Sequence, residues 1–166
     1  MFRVAPASFC NKIVAMPTLT LKTQFGRLGL VEKDGAIVAL RWDCSDEGDP
    51  TDLLRDGIDQ LLAYAEGRLE RFDLPLRVSG SGFQRSVCDQ IYAIPFGCTK
   101  TYGEIAKALG AGAQAVGSAC GGNPIPIIIP CHRVMGAKGL TGFSGAGGVE
   151  TKVALLRHEG AAGLLI

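Results

Sequence analysis

Residues 102–122 read YGEIAKALGAGAQAVGSACGG, and residues 123–134 continue directly as NPIPIIIPCHRV. YGEIAKALG has helical spacing and stops at Gly110, a natural helix C-cap. QAVGSACGG resumes a helix after the tight turn AGA. Helix, tight turn and helix predict a helix-turn-helix over 102–121. The second helix is built from small residues: Ala113, Ala115, Gly117, Ser118, Ala119, Gly121 and Gly122. Each glycine costs a helix about 1 kcal/mol against alanine. In return the backbone can approach another surface closely, whether a neighbouring helix or the wall of a nucleic-acid groove. The stiff apolar run IPIIIP then delivers a polar Cys-His-Arg tripeptide to the edge of the core.

Downstream, GAKGLTGFSGAGG reads as a Gly-rich loop and VETKVALLRHEG as a closing helix ended by Gly160. Upstream, FQRSVCDQIYAI carries Phe83, Val87, Ile91 and Ile94 on one helical stripe. SGSG at 79–82 has the composition of a linker. Before it, TLTLKTQ and FGRLGLVEKDGAIVALRWD read as antiparallel strands broken by the turn signal KDG. Asp52 is placed to cap the helix LLRDGIDQLLAYAEG, with Leu53, Leu54, Ile58, Leu61, Leu62 and Tyr64 near helical spacing. RFDLPLRV returns as an extended segment. The expected organisation is a flexible N-terminal extension (1–17), an α/β domain with an antiparallel sheet (18–78), a linker (79–82), and a mainly α domain (83–166). The last contains the helix-turn-helix and is winged-helix-like.

The 166 residues are 47% hydrophobic and 20% charged, which supplies a core and argues against wholesale disorder. No apolar run approaches the roughly 20 residues of a membrane span, and the N-terminus lacks a signal-peptide h-region, so a cytoplasmic protein without membrane contact is expected. Residues 1–80 hold 10 Lys/Arg against 12 Asp/Glu, a balance of −2; residues 81–166 hold 7 against 4, a balance of +3. The second half can approach phosphates. The six cysteines form no CxxC pair and only two histidines accompany them, so no structural metal is expected. GFSGAGG lacks the Gly-Lys-Ser/Thr ending of a P-loop. Cys88, Cys98 and Cys120 read as packing residues.

Cys131 is the thiol with chemistry beside it. A free thiol titrates near pH 8.5, so it needs a base or a positive neighbour to act as a nucleophile at neutral pH. His132 can take the proton, directly or through a water, and a carboxylate can hold His132 in the right tautomer. Glu159, in the segment RHEG, is a candidate if the C-terminus folds back.

IPCHRV, with GNP and TYGEIA upstream and LTGFSG and LLRHEG downstream, resembles the O6-alkylguanine-DNA alkyltransferases, also called methylated-DNA–protein-cysteine methyltransferases. The likeness is dense over about 81–160, and TQFGRLGLVEKDGAIVALRW is more loosely similar to the family's N-terminal domain. The resemblance implies irreversible, single-turnover transfer of a methyl or larger alkyl group from O6-alkylguanine in DNA, with O4-alkylthymine as an additional candidate, to Cys131. It implies that His132, polarised by Glu159, draws off the thiol proton, and that Tyr102 assists at guanine N3. Amides around Phe143, Ser144 and Gly145 would steady O6. Carbonyls near Cys131 and Val134 would read the exocyclic amine, and Asn123 would brace the turn after the helix-turn-helix. Tyr102, Gln114, Ala115, Gly117, Ser118 and Arg133 would meet the minor groove of alkylated duplex DNA. No cofactor, no metal and no obligate protein partner is implied, and a monomer is expected.

The chain departs from the family at one place. The family pattern is Arg-Ala-Val-Gly, with the Arg filling the gap left by the flipped base; this chain has Gln114-Ala115-Val116-Gly117 after a turn about two residues short. Gln114 opens the alternative of a protein that recognises alkyl lesions with weak or no transfer. A cysteine hydrolase is a third possibility, for which the sequence offers no separate oxyanion-hole signal.

Overall fold

The structure is a computed structural model in which residues 15–140, 142–143 and 145–161 are described. Strands β1 (Thr18–Thr23), β2 (Gly26–Lys33) and β3 (Ala36–Trp42) form an antiparallel sheet in that order. The KDG turn signal is used as expected, with Asp34 and Gly35 both at positive φ. The central strand buries Leu28, Leu30 and Val31. Helix α1 (Asp52–Ala65) lies on the sheet through Leu54, Leu61 and Tyr64. Complete burial of such side chains is worth about 1.5–3 kcal/mol each. The approach is close because Gly57 has no side chain: a Cβ there would sit 2.6 Å from Leu30 Cδ1. The cap is Thr51, whose hydroxyl accepts from Leu54 N, rather than Asp52, which is the first helical residue. The extended segment 71–78 runs beside β3, with Ile37 N donating to Pro75 O and Arg77 N to Ile37 O.

Helix α2 (Gly82–Tyr92) begins inside the expected linker, because Ser81 caps it by accepting from Gln84 N. Val87, Ile91 and Ile94 are buried, but Phe83, expected on the same stripe, is exposed at the helix's first turn. Helix α3 (Tyr102–Leu109) starts with a capping box: Thr101 Oγ1 accepts from Glu104 N, and Glu104 Oε2 accepts from Thr101 N. Gly110 ends it at φ +62, a conformation other residues adopt only at a cost. Residues 110–112 connect it to helix α4 (Ala113–Gly121), giving the helix-turn-helix.

The apolar run 125–130 is buried throughout. Asn123 ties its ends, with Oδ1 accepting from Ile125 N and Nδ2 donating to Ile129 O. Cys131–Arg133 form a single 3₁₀ turn. Strand β4 (Lys100–Thr101) pairs in parallel with β5 (Val134–Met135), which fixes the start of α3 beside the end of that turn. Helix α5 (Val149–His158) closes the chain. One apolar cluster joins the sheet side (Leu30, Leu54) to the helical side (Val87, Ile105, Leu155). The expected N-terminal extension falls outside the described residues up to residue 14. No helix among the described residues is long and apolar enough to cross a membrane.

Candidate active site

The parallel β4–β5 pair brings Tyr102, the first residue of α3, next to Cys131. Between them lies a cavity of about 260 Å³, walled by Tyr102, Cys131 and Cys120, by Gly117 and Gly121 of α4, and by Gly142 and Phe143. The small residues of α4 therefore have a structural use: they leave room at the helix surface. The thiol of Cys131 is sheltered yet opens into this space. Phe143 is held from the N-terminal half by Trp42, edge to face at 6.0 Å between ring centroids. Gly145 packs beneath it, where a Cβ would come within 2.3 Å of the Phe143 ring. Ser144 lies outside the described residues.

Cys120, which the sequence reads as a packing residue, interacts with Cys131. Its Sγ lies 4.0 Å from the Cys131 carbonyl oxygen. A hydrogen bond from the Cys120 thiol lowers the pKa of Cys131; burial opposes this, and Asn123 and the Lys152 charge reinforce it. The same hydrogen bond, with burial, pushes Cys120 up, so Cys131 is the member of the pair that ionises first. Tyr102 hydrogen-bonds with Cys120 on the other side.

His132 is fully buried on the other side of the turn, with Nε2 2.7 Å from Glu159 Oε1. Burial lowers its pKa against the pull of Glu159, so the ring is neutral. A carboxylate only accepts, so Nε2 carries the proton and Nδ1 carries the lone pair. Nδ1 is buried and has no hydrogen-bond partner among the described residues. Glu159, which helix-end statistics would leave solvated, is buried where α5 folds back. Burial raises its pKa, but hydrogen bonds from His132 and Arg133 prevail and hold it at about 2.

Arg133 corrects an expectation. Anticipated among DNA-contacting residues, it is buried: Nε donates to Glu159 Oε2 and Nη2 to Oε1, both at 2.8 Å, and Nη1 donates to Ile94 O. Its guanidinium also faces the Phe96 ring at 5.8 Å. It neutralises Glu159, and its guanidinium donors are directed to Glu159 and the Ile94 carbonyl. Val134 is buried too, its carbonyl accepting from Lys152 Nζ. Gln114, Ala115 and Ser118 are exposed on α4, on the flank whose Gly117 and Gly121 border the cavity.

The sequence assigns no role to Lys152 or Tyr64 beyond packing. Lys152 is a wholly buried amine whose charge reaches Cys131 and Cys120; burial lowers its pKa. Tyr64 Oη donates to Glu159 Oε1 at 2.7 Å. Lys152 sits at helical spacing within an apolar stripe (Leu155, Leu156), which was the available signal. Tyr64 looked like any core aromatic.

The family profile described as "6-O-methylguanine DNA methyltransferase, DNA binding domain" matches residues 82–161. The chain is 51% identical over 105 residues to the methylated-DNA–protein-cysteine methyltransferase of Mycobacterium tuberculosis, an alignment covering 61% of this chain and 62% of that protein. It thus spans about three fifths of that relative's length. To the protein of the same name from Methanosarcina acetivorans it is 48% identical over 112 residues, covering 66% of this chain and 70% of the relative. A crystal structure of Mycobacterium tuberculosis OGT in complex with DNA superposes with a TM-score of 0.78 at 41% identity, over 87% of this chain and 92% of that one. With this likeness added to a thiol that opens into the cavity and, behind it, an imidazole paired with a carboxylate, the chain belongs to the methylated-DNA–protein-cysteine methyltransferase family.

Proposed function

We propose that the protein repairs alkylated duplex DNA by moving an alkyl group from guanine O6 onto Cys131 Sγ, once per molecule. The observation that carries this reading is the neutral His132, pinned to Glu159 through Nε2 and left with an Nδ1 lone pair, next in sequence to a thiol that opens into a cavity. His132 Nδ1 takes the thiol proton through a bridging water. The thiolate attacks the alkyl carbon in line, a C–S bond forms, and the C–O6 bond breaks with its electron pair leaving on guanine. Tyr102, on the cavity wall, supplies a hydrogen bond to guanine N3 as negative charge builds on the base. The Val134 carbonyl, which also accepts from Lys152 Nζ, takes a hydrogen bond from the exocyclic amine, and Phe143, on the cavity wall, closes over the base.

The product is a thioether, which water does not cleave, so each molecule acts once. A base inside a duplex cannot reach a sheltered thiol and must leave the stack, at a cost of a few kcal/mol. Helix α4 enters the minor groove, with Gln114, Ala115 and Ser118 exposed toward the DNA and Gly117 and Gly121 bordering the pocket. The protein acts as a cytoplasmic monomer. Residues 18–78 and 83–166 are its two domains, joined at 79–82.

Intact-mass analysis after incubation with an O6-methylguanine duplex tests this. One methyl increment, mapped to the Cys131 peptide and absent in Cys131→Ser, is the expected result. Tight binding with unchanged mass would favour lesion recognition without transfer, the outcome that Gln114 in place of arginine makes worth measuring. Alkyl groups exceeding protein molecules would refute single turnover.

A further inference from the structure

We propose that Tyr64, on α1 of the N-terminal half, is a positioning residue of the reactive centre: its hydroxyl hydrogen-bonds Glu159 and so sets how strongly that carboxylate draws on His132. Tyr64 lies outside the matched span 82–161, and it grips the end of α5 twice. Its Oη donates to Glu159 Oε1 at 2.7 Å, and its backbone carbonyl accepts from His158 Nε2 at 2.6 Å. Two consecutive residues of the C-terminal helix end are therefore fixed by one residue 95 positions before Glu159. The ring cannot swing to water. It is 1% exposed and stands within 6.3 Å, centroid to centroid, of Phe25, Phe72, Phe96 and His158.

A tyrosine that only filled space would leave its hydroxyl elsewhere. Here it meets the very oxygen that holds His132. Glu159 Oε1 receives three donors: Tyr64 Oη, His132 Nε2 and Arg133 Nη2. A carboxylate oxygen offers about two lone pairs, so the donors compete. Removing Tyr64 Oη leaves Oε1 a stronger acceptor for His132 Nε2–H. The imidazole then binds a proton more tightly and is lost as a neutral base at higher pH. The titratable and charged groups around this contact are Cys131, His132 and Arg133 of the 3₁₀ turn, Lys152, His158 and Glu159 at α5, and Tyr64 itself. A change confined to the Tyr64 hydroxyl leaves the others in place.

The mechanism of this control rests on the alkyl-transfer reading only for its benefit to the protein, so two readouts are taken. Iodoacetamide alkylation of Cys131, followed on its own peptide by mass spectrometry, is measured between about pH 5 and 9, the window in which histidine titrates. Single-turnover transfer from free O6-benzylguanine is measured beside it. In Tyr64→Phe the midpoint of the acid limb is expected to rise by about half a pH unit, a threefold loss of rate on that limb. With 3,5-difluorotyrosine at position 64, a stronger donor of nearly the same shape, the midpoint is expected to fall. Unmoved midpoints, or both variants moving the same way, would overturn the proposal. Should Tyr64→Phe fail to fold, the fluorinated protein decides alone: a fall supports the role, and no change or a rise refutes it. If wild type takes nothing from O6-benzylguanine while the alkylation midpoints move as stated, the transfer reading fails and the positioning role stands.

Discussion

Replacing Glu159 with glutamine removes a charge from the centre of a buried network, and the structure gives the size of the effect by two routes. An ordinary glutamate titrates near 4.3, and here the hydrogen bonds from His132 and Arg133 hold Glu159 at about 2. At 1.36 kcal/mol per unit, that difference is about 3 kcal/mol of folding stability at neutral pH. Glu159 is 5% exposed, so solvent screening takes little from this. Independently, removing one partner of a buried ion pair costs about 3–5 kcal/mol, because the other charge stays behind; here that charge is Arg133. The sign follows from the lowered pKa. The contribution is complete above the unfolded chain's value, about 4.3, and is lost as pH falls toward 2. At about pH 3 more than half of it has gone.

Urea unfolding of wild type and Glu159→Gln at pH 7 and at about pH 3 measures this, and carboxylates elsewhere cancel in the comparison. The expected gap is about 3 kcal/mol at pH 7, shrinking to about 1.5 at the lower pH. A gap that does not narrow, or one below about 1 kcal/mol at neutral pH, would show that Glu159 is not the buried counter-charge described. The glutamine variant should also lose alkyl transfer even where it is folded.

Lys152→Met removes a cation whose charge favours the Cys131 thiolate and a donor to the Val134 carbonyl; Cys131 alkylation should slow at neutral pH and recover as pH rises, whereas uniform slowing at every pH would contradict an electrostatic role. Gln114→Arg, on the exposed first turn of α4, should tighten duplex binding or speed repair of duplex O6-methylguanine with less effect on free O6-benzylguanine; equal effects on both would remove position 114 from the flipping step. Gly117→Leu fills space where a Cβ meets nothing within 4 Å. The variant should melt no lower than wild type, since leucine favours a helix over glycine by up to about 1 kcal/mol. It should still lose benzyl transfer far more than methyl transfer, and an unchanged benzyl rate would mean the cavity beside α4 does not receive the alkyl group.

Much of this was legible in the chain because local rules governed it. The Thr-Tyr-Gly-Glu capping box starts α3, Gly110 stops it, and Cys131 was singled out by the polar tripeptide that follows an apolar run. What failed did so where tertiary contacts decide. The resemblance implies a DNA contact for Arg133, and no local pattern argues against it; only the fold-back of α5 supplies the carboxylate that buries it. Phe83 fits the helical stripe of Val87 and Ile91, yet it sits in the first turn of α2 and is exposed there. Cys120 reads as a small hydrophobe because nothing local couples it to Cys131, eleven residues on. Tyr64 is invisible as a functional residue for the same reason on a longer scale, since its partner lies at the opposite end of the chain.

The conformation of the tripeptide explains why these residues can share one centre without obstructing each other. In a strand, Cys131 and Arg133 would face one side and His132 the other. A guanidinium would then share the cavity with the thiol. A 3₁₀ turn has three residues per turn, so successive side chains do not alternate between two faces. Cys131 takes the cavity, His132 takes Glu159, and Arg133 takes Glu159 together with the Ile94 carbonyl. Neither the base nor its counter-charge stands on the cavity wall. The space in front of the sulfur is therefore left to Tyr102, Phe143 and the glycines of α4, and the charge needed to ionise the thiol is supplied from behind.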